Sequence, residues 1–184
     1  MGDSDLETRI EFLQRAGAGS TAHSGRTLLE HLGGVHAFLE RWGARRALCD
    51  AGLFHSVYGT EFFSAASIAS EQRAEVRAVI GEEAEEIAFL WCTIRRASLV
   101  ENLDREQDLR ARDRRTDDRI PLTANRVADL VTLWAADTLE QIPHLARTTM
   151  HHEDLLRLRH LALPAARDAL ENTFDVRTEP GSVN

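Results

Sequence analysis

Apolar residues recur every three or four positions along most of this chain, which is the period of a helix buried on one face. The first stripe, Leu6, Ile10 and Leu13, follows a Ser4-to-Glu7 capping box. The predicted helical segments cover about residues 4–16, 27–42 and 47–55, a short stretch ending at Ile80, a stretch carrying Ile87 to Ile94, one starting at Thr123, and a final one from Leu155 that is interrupted near Pro164.

Two segments lack this pattern. Residues 17–25 are rich in Gly, Ala and Ser and are predicted to form a loop. Residues 101–120 carry alternating charges and few apolar side chains, which indicates a solvated loop or a frayed helix. No run alternates as a strand does. We therefore expect an all-α single domain over residues 1–178, with a polar tail at 179–184.

Composition narrows the class of protein. A chain of 184 residues that is 43% hydrophobic can bury a core of its own, and its net charge of −8 disfavours nucleic acid and acidic membrane surfaces as partners. The acidic N-terminus does not resemble a signal peptide, so we expect a cytoplasmic protein. Cys49 and Cys92 lack metal-knuckle spacing and are predicted to be small core residues. Oligomeric state is left open, with a homo-oligomer as one alternative.

Three ionisable side chains fall on apolar helix faces. His31 borders the stripe of the second predicted helix, His55 lies on the third, and Asp137 follows one turn after Trp134. Two imidazoles and one carboxylate suit iron, manganese or zinc with positions left open for water and substrate. The alternative is structural: two core histidines that donate to backbone carbonyls, and an aspartate that caps a helix or pairs with an arginine.

Four separated phrases resemble the HD-domain superfamily of all-helical, metal-dependent phosphohydrolases, and most of all the hydrolase domain of Rel/SpoT alarmone enzymes. They are His31, Ala51-Gly-Leu-Phe-His-Ser56, Ile80-Gly-Glu-Glu-Ala-Glu-Glu-Ile87 and Ala136-Asp-Thr-Leu139, in the family's order. The resemblance covers roughly residues 20–145. It implies an HD-like helical bundle in which His31, His55 and Asp137 bind the metal.

The chain departs from that family at positions that matter for its chemistry. Ser56 stands where the family has the aspartate of its His-Asp pair, which makes a two-metal site improbable. Gly59 and Thr60 occupy the positions of a Glu-Asp pair used in alarmone hydrolysis. Glu61, one residue further, is a candidate catalytic carboxylate at the edge of the site, with Ser56 as the second candidate; an ordinary surface position for Glu61 is the alternative.

Residues near the two histidines are candidates for binding a substrate. His23 and Arg26 precede His31 and offer a ring and a fork of donors for an anion. The alternative is that Ser24 or Thr27 caps the helix and Arg26 is exposed. Tyr58 and Thr60 add hydroxyl groups beside His55; wall packing is the alternative for Tyr58.

The sequence thus favours a hydrolase-like enzyme that uses one divalent metal ion, manganese, iron or zinc, on a small phosphorylated molecule. Two alternatives stay open. One is an HD-type non-haem iron oxygenase, because two histidines and one carboxylate also suit that chemistry. The other is a degenerate HD fold without catalysis that binds a ligand or a partner.

Overall fold

A computed structural model of the protein describes residues 3–23, 25–144 and 152–174. The predicted tail at 179–184 lies outside these residues. The described chain is mostly helical. Its elements in order are α1 (Asp3–Arg15), β1 (Ala22–His23), β2 (Arg26–Thr27), α2 (Leu28–Arg41), α3 (Arg46–Phe54), α4 (Arg73–Ile80), α5 (Glu82–Thr93), β3 (Arg110–Arg112), β4 (Arg119–Pro121), α6 (Ala124–Gln141), α7 (Glu153–Leu158) and α8 (Pro164–Phe174). Short 3₁₀ segments lie at Ser70–Gln72, Arg96–Asn102 and Arg159–Leu161.

The two helices that matter most for the site begin where the sequence predicts. The Thr27 hydroxyl accepts from the Glu30 backbone N–H, and the Glu30 carboxylate accepts from the Thr27 backbone N–H, which closes a capping box at the start of α2. Thr123 caps α6 by accepting from the Arg126 backbone N–H at 3.2 Å. Both caps satisfy amide groups that a helix start leaves without partners.

The core is built around α2, which packs against α3 and α6, while α3 also packs against α5. Trp91 and Phe54 are the largest fully buried side chains in this core. Cys49 and Cys92 are both free and buried, as the sequence predicts. Helices α2, α3 and α6 therefore bring residues from distant parts of the sequence to one place.

The prediction that the chain contains no strands is wrong. β1 pairs with β2 and β3 pairs with β4, each antiparallel, so the segment at 101–120 is neither a bare loop nor a frayed helix. These strands are two or three residues long, too short to show an alternating pattern. Much of the charge in this region is paired: Glu101 accepts from Arg110 at 3.1 Å and from Arg112 at 2.7 Å.

None of the helices among the described residues combines the length and the apolar character needed to cross a membrane.

Candidate metal centre

His31, His55 and Asp137 meet inside the protein. His31 lies in α2, His55 directly follows α3, and Asp137 lies in the last third of α6. The two Nε2 atoms are 3.2 Å apart, and Asp137 Oδ1 is 3.3 Å from His31 Nε2 and 3.5 Å from His55 Nε2. Both histidines are fully buried and Asp137 is 2% exposed. This group could hold a metal ion.

The spacing of the three atoms fits a single ion. Two ligand atoms that are each about 2.1 Å from one ion, at roughly 90 to 110° to each other, lie about 3.0 to 3.5 Å apart. All three separations fall in this range. The set supplies two nitrogens and one oxygen on one side of an ion, which suits zinc, iron or manganese and leaves other positions free.

The outer nitrogen of each imidazole is already engaged. His31 Nδ1 lies 2.5 Å from Glu140 Oε2, and His55 Nδ1 lies 2.7 Å from the Gly52 carbonyl oxygen. Both partners are acceptors, so each Nδ1 carries a proton, and a ring without a second proton turns the lone pair of Nε2 inward. Carboxylate and carbonyl partners of this kind fix the tautomer and the orientation of metal-binding histidines.

Each carboxylate oxygen of Asp137 also accepts a hydrogen bond from a side chain outside the group of three. Its Oδ2 accepts from Arg96 Nη1 at 3.0 Å, and Oδ1 accepts from Gln141 Nε2 at 2.5 Å. The Arg96 guanidinium is itself buried and stacks over Trp91, 4.2 Å from the ring centre. The alternative that the sequence left open, an aspartate paired with an arginine, is therefore present, yet Oδ1 still faces both histidines.

These contacts shift the pKa values of the three groups in different directions. Burial raises the pKa of the Asp137 carboxyl, but Arg96 and the two histidines outweigh burial and hold that pKa well below its ordinary value. Burial lowers the pKa of His31, but Asp137 and Glu140 outweigh it and raise that pKa overall. Burial dominates at His55 and lowers its pKa. An anionic Asp137 beside a neutral His55 matches the protonation states of metal ligands.

The two residues predicted to bind substrate from the N-terminal side lie against this group. The His23 ring stacks on His31 with the ring centres 4.2 Å apart and the planes 7° from parallel. Burial is the main cause that lowers the pKa of His23 to about 4. Arg26 forms an ion pair with Glu140, the carboxylate that holds His31. Arg26 is therefore linked to His31 indirectly, through Glu140.

The four candidates that follow His55 occupy different places. Tyr58 donates to Glu85 at 3.1 Å, so its hydroxyl is engaged in the ion-pair cluster between α4 and α5. Thr60 is buried and accepts from the Phe63 backbone N–H at 3.1 Å, which closes a tight turn. These contacts give Tyr58 and Thr60 structural partners.

Glu61 and Ser56 are each linked to a residue of the centre. The Glu61 carboxylate accepts from the Arg96 backbone N–H at 2.9 Å and so helps to place the residue that pairs with Asp137. Ser56 directly follows His55 and is 2% exposed.

Sequence reasoning missed Glu140 and Arg96. Glu140 lies three residues after Asp137, one helical turn away on the same face, and this spacing could have indicated it. Arg96 begins the 3₁₀ segment after α5, and no local pattern connects it with Asp137, 41 residues later. Only the packing of the chain brings that pair together.

The fold and the site define a mostly helical protein with a buried candidate centre for one metal ion. A family described as "Domain of unknown function (DUF6817)" matches residues 12–96. That stretch includes both histidines and Arg96 and ends before Asp137. No curated protein and no solved structure matches the chain significantly.

Proposed function

We propose that this protein is an HD-like, metal-dependent hydrolase acting on a small phosphorylated molecule. The observation that carries the proposal is the convergence of His31 Nε2, His55 Nε2 and Asp137 Oδ1 at 3.2 to 3.5 Å, with both Nδ1 atoms engaged elsewhere. Three inward-facing acceptors repel one another unless a proton or a cation lies between them. A divalent ion removes that repulsion and keeps all three ligands.

The order of the ligands along the chain supports an HD-like arrangement. A histidine on one helix, a second histidine at the end of the next and an aspartate on a distant helix follow the pattern of that superfamily. Ser56 supplies no charge where the superfamily has an aspartate, so the proposal is restricted to a single ion.

The residues of the centre divide into those that would bind the ion and those that orient the ligands. His31, His55 and Asp137 would hold the ion, and Glu140 and the Gly52 carbonyl orient the two imidazoles. Arg96 occupies Asp137 Oδ2 and therefore leaves only Oδ1 for the ion. When bound, a divalent ion supplies two functions for hydrolysis: it lowers the pKa of a water molecule and polarises the oxygen under attack.

Charge balance supports an anionic substrate. Without an ion, the carboxylates of Asp137 and Glu140 already face the guanidinium groups of Arg96 and Arg26. A divalent ion would add two positive charges to this buried and otherwise compensated group. Buried charge is costly without a counter-charge, so an anion such as a phosphoryl group is the favoured occupant of the open positions.

A non-haem iron oxygenase is the second candidate function. Two histidines and one carboxylate that each offer a single atom to one ion are the ligand set of that class, and the pairing of Asp137 Oδ2 with Arg96 favours single-atom ligation.

Metal content is the first test. Wild-type protein purified without chelator, and protein titrated with Mn²⁺, Zn²⁺ or Fe²⁺, are expected to bind one ion per chain. Asp137→Asn should abolish uptake because an amide is a poor ligand, while helical content by circular dichroism is retained. Asp129→Asn is the matched control: Asp129 lies in the same helix, is also buried, and pairs with Arg45 at 2.6 Å outside the site.

Activity then separates the classes. Hydrolysis of p-nitrophenyl phosphate or bis-p-nitrophenyl phosphate by the Mn²⁺ or Zn²⁺ form, lost in Asp137→Asn but kept in Asp129→Asn, supports the proposal. Oxygen consumption with Fe²⁺ would favour the oxygenase. Absence of metal binding in the wild type overturns both and leaves a non-catalytic binding protein.

A further inference from the structure

His23 lies against the centre but holds none of the three converging atoms. It ends β1, and the turn that leads to β2 includes Gly25 at φ 82, a conformation that suits glycine. Its ring is held between two others: the face of His31 at 4.2 Å and the edge of Phe63 at 4.7 Å between ring centres. The imidazole is thus fixed in orientation before any ligand binds.

Despite this confinement, His23 has an unused polar atom. Its Nδ1 is buried and has no hydrogen-bond partner among the described residues, and the residue as a whole is 8% exposed. Arg26 Nε, on the other strand of the same hairpin, is also buried without a partner. A buried polar atom without a partner is unfavourable, so these two atoms on one hairpin beside the centre are available to bind a ligand.

The stacking excludes His23 as a fourth metal ligand. A metal ion lies close to the plane of the imidazole that binds it. Parallel rings in contact are about 3.5 Å or more apart, so an ion in the plane of His31 is that far from the plane of His23. Direct ligation needs about 2.1 Å. A ligand atom bound to the ion on the side that faces His23 lies about 2 Å nearer to the plane of the His23 ring than the ion does. That atom is within hydrogen-bonding reach of the ring.

We infer that the His23 imidazole, stacked on His31 and carrying a buried nitrogen without a partner, hydrogen-bonds the anionic group that occupies the open positions of the ion. This inference rests on the proposed function and adds a specificity residue to it. The contact selects for a ligand that presents an oxygen acceptor to His23 while another of its oxygens binds the ion. Phosphate and phosphate esters have this shape.

The test uses the intact protein loaded with Co²⁺, whose visible spectrum reports changes at the ion, and inorganic phosphate as the probe. His23→Phe keeps an aromatic ring on His31 but removes both nitrogens. It is expected to bind Co²⁺ within threefold of wild type and to bind phosphate about 10- to 100-fold more weakly, the range for one hydrogen bond to a charged group. His23→Asn, which places a polar atom near the position of Nδ1, should recover part of that affinity.

His36→Phe is the control for adding a ring in place of a buried histidine of α2, because His36 lies away from the centre and contacts Glu40. It should leave phosphate affinity unchanged. His23→Ala gives the same comparison as His23→Phe if the larger side chain prevents folding. Wild-type phosphate affinity in His23→Phe and His23→Ala overturns the inference, and so does loss of Co²⁺ in both.

A failure of the proposed function is distinguishable from these results. If wild-type protein takes up no Co²⁺, the metal centre itself is wrong. If it takes up Co²⁺ but phosphate leaves the spectrum unchanged, the anionic substrate is wrong and the role of His23 falls with it. If both bind and the variants behave as wild type, only the inference about His23 fails.

Discussion

The two carboxylate oxygens of Asp137 have different surroundings. Oδ1 faces two imidazoles whose lone pairs point inward, whereas Oδ2 accepts from the buried guanidinium of Arg96 at 3.0 Å. A metal ion bound here would compensate the same buried carboxylate as Arg96 does. We therefore expect the stability of the metal-free protein to depend on Arg96 more than that of the metal-bound form.

Replacing Arg96 by methionine tests this competition. The metal-free variant should lose about 3 to 5 kcal/mol of unfolding free energy, because a buried carboxylate is left without its cation. Zn²⁺ should restore a large part of that loss, so the rise in melting temperature on adding Zn²⁺ is expected to be larger in Arg96→Met than in wild type. Thermal and urea unfolding with and without Zn²⁺ measure both quantities.

Arg45→Met serves as the control, because Arg45 pairs with the other buried aspartate of α6, Asp129, away from the centre. Its response to Zn²⁺ should equal that of wild type. A response in Arg96→Met no larger than in wild type would show that the guanidinium and the ion do not compensate the same carboxylate.

At the scale of residues, the sequence predicts the three atoms that converge but not what holds them. Ionisable groups on apolar stripes are visible in a sequence, and so is a resemblance in the order of phrases. The Arg96–Asp137 pair depends on how α5 ends against α6, and the Glu140–His31 contact depends on the crossing of α2 and α6. Such contacts are set by packing between segments, and of the two only Glu140 has a local signal, its position one turn after Asp137.

At the scale of elements, α2 and α6 are in close contact where Gly34 faces Glu140. A Cβ built on Gly34 would lie 2.8 Å from Cγ and 2.9 Å from Cδ of Glu140, both inside normal contact distance. The missing side chain at Gly34 therefore makes room for the carboxylate that holds His31.

Gly34→Ala is expected to displace Glu140 and weaken metal binding about 10- to 100-fold, the usual cost of disturbing the partner of a metal-binding histidine. Isothermal titration with Zn²⁺ measures the change. Gly33→Ala is the matched control in the same helix: its Cβ meets nothing within 4 Å, and alanine should stabilise the helix by up to about 1 kcal/mol. Equal Zn²⁺ affinity in both variants would show that the position of Glu140 does not contribute to metal binding.

The contact between α4 and α5 depends on another buried carboxylate. Glu85 of α5 accepts from Arg73 at 2.6 Å and from Arg77 at 2.8 Å, both of α4, and from Tyr58 at 3.1 Å. Burial raises the pKa of Glu85, but the two arginines outweigh burial and lower it overall. Its ionised form is therefore favoured in the folded protein relative to the unfolded chain.

The lowered pKa of Glu85 determines how the stability of the protein changes with pH. Because the folded pKa is depressed, the contribution of Glu85 to stability is fully present above the pH at which an unfolded glutamate titrates, about pH 4 to 5, and is lost as the pH falls through the folded pKa. Glu85→Gln should be less stable than wild type at pH 7, and the difference should shrink below that range. Urea unfolding between pH 3 and pH 7 measures it, and a constant difference would contradict the assignment.

The elements also show what sequence periodicity can and cannot supply. α2 and α6 were predictable because each combines a capping threonine with a long apolar stripe. β3 and β4 were not, since only Ala111 is buried in β3 and its neighbours Arg110 and Arg112 read as solvated charge. Arg110 and Arg112 both pair with Glu101, and these ion pairs form only in the folded hairpin.

At the scale of the whole molecule, the candidate centre joins three parts of the core. Its ligands come from α2, from the end of α3 and from α6, so a bound ion crosslinks helices that are separated by up to 106 residues in sequence, from His31 to Asp137. An ion that binds the folded form but not the unfolded chain stabilises the fold as a whole. The centre and the global stability of the protein are therefore linked.

Removing the metal should lower the melting temperature of the entire protein. At a free ion concentration 100 times the dissociation constant, binding adds about 2.7 kcal/mol, and a chain of this size shifts by about 2 to 4 °C per kcal/mol, which gives about 5 to 10 °C. Differential scanning calorimetry of the wild type with excess Zn²⁺ and after EDTA measures the shift. Asp137→Asn should melt at one temperature under both conditions, because it has lost the only carboxylate among the three ligands; an equal shift in that variant would mean that the ion binds elsewhere.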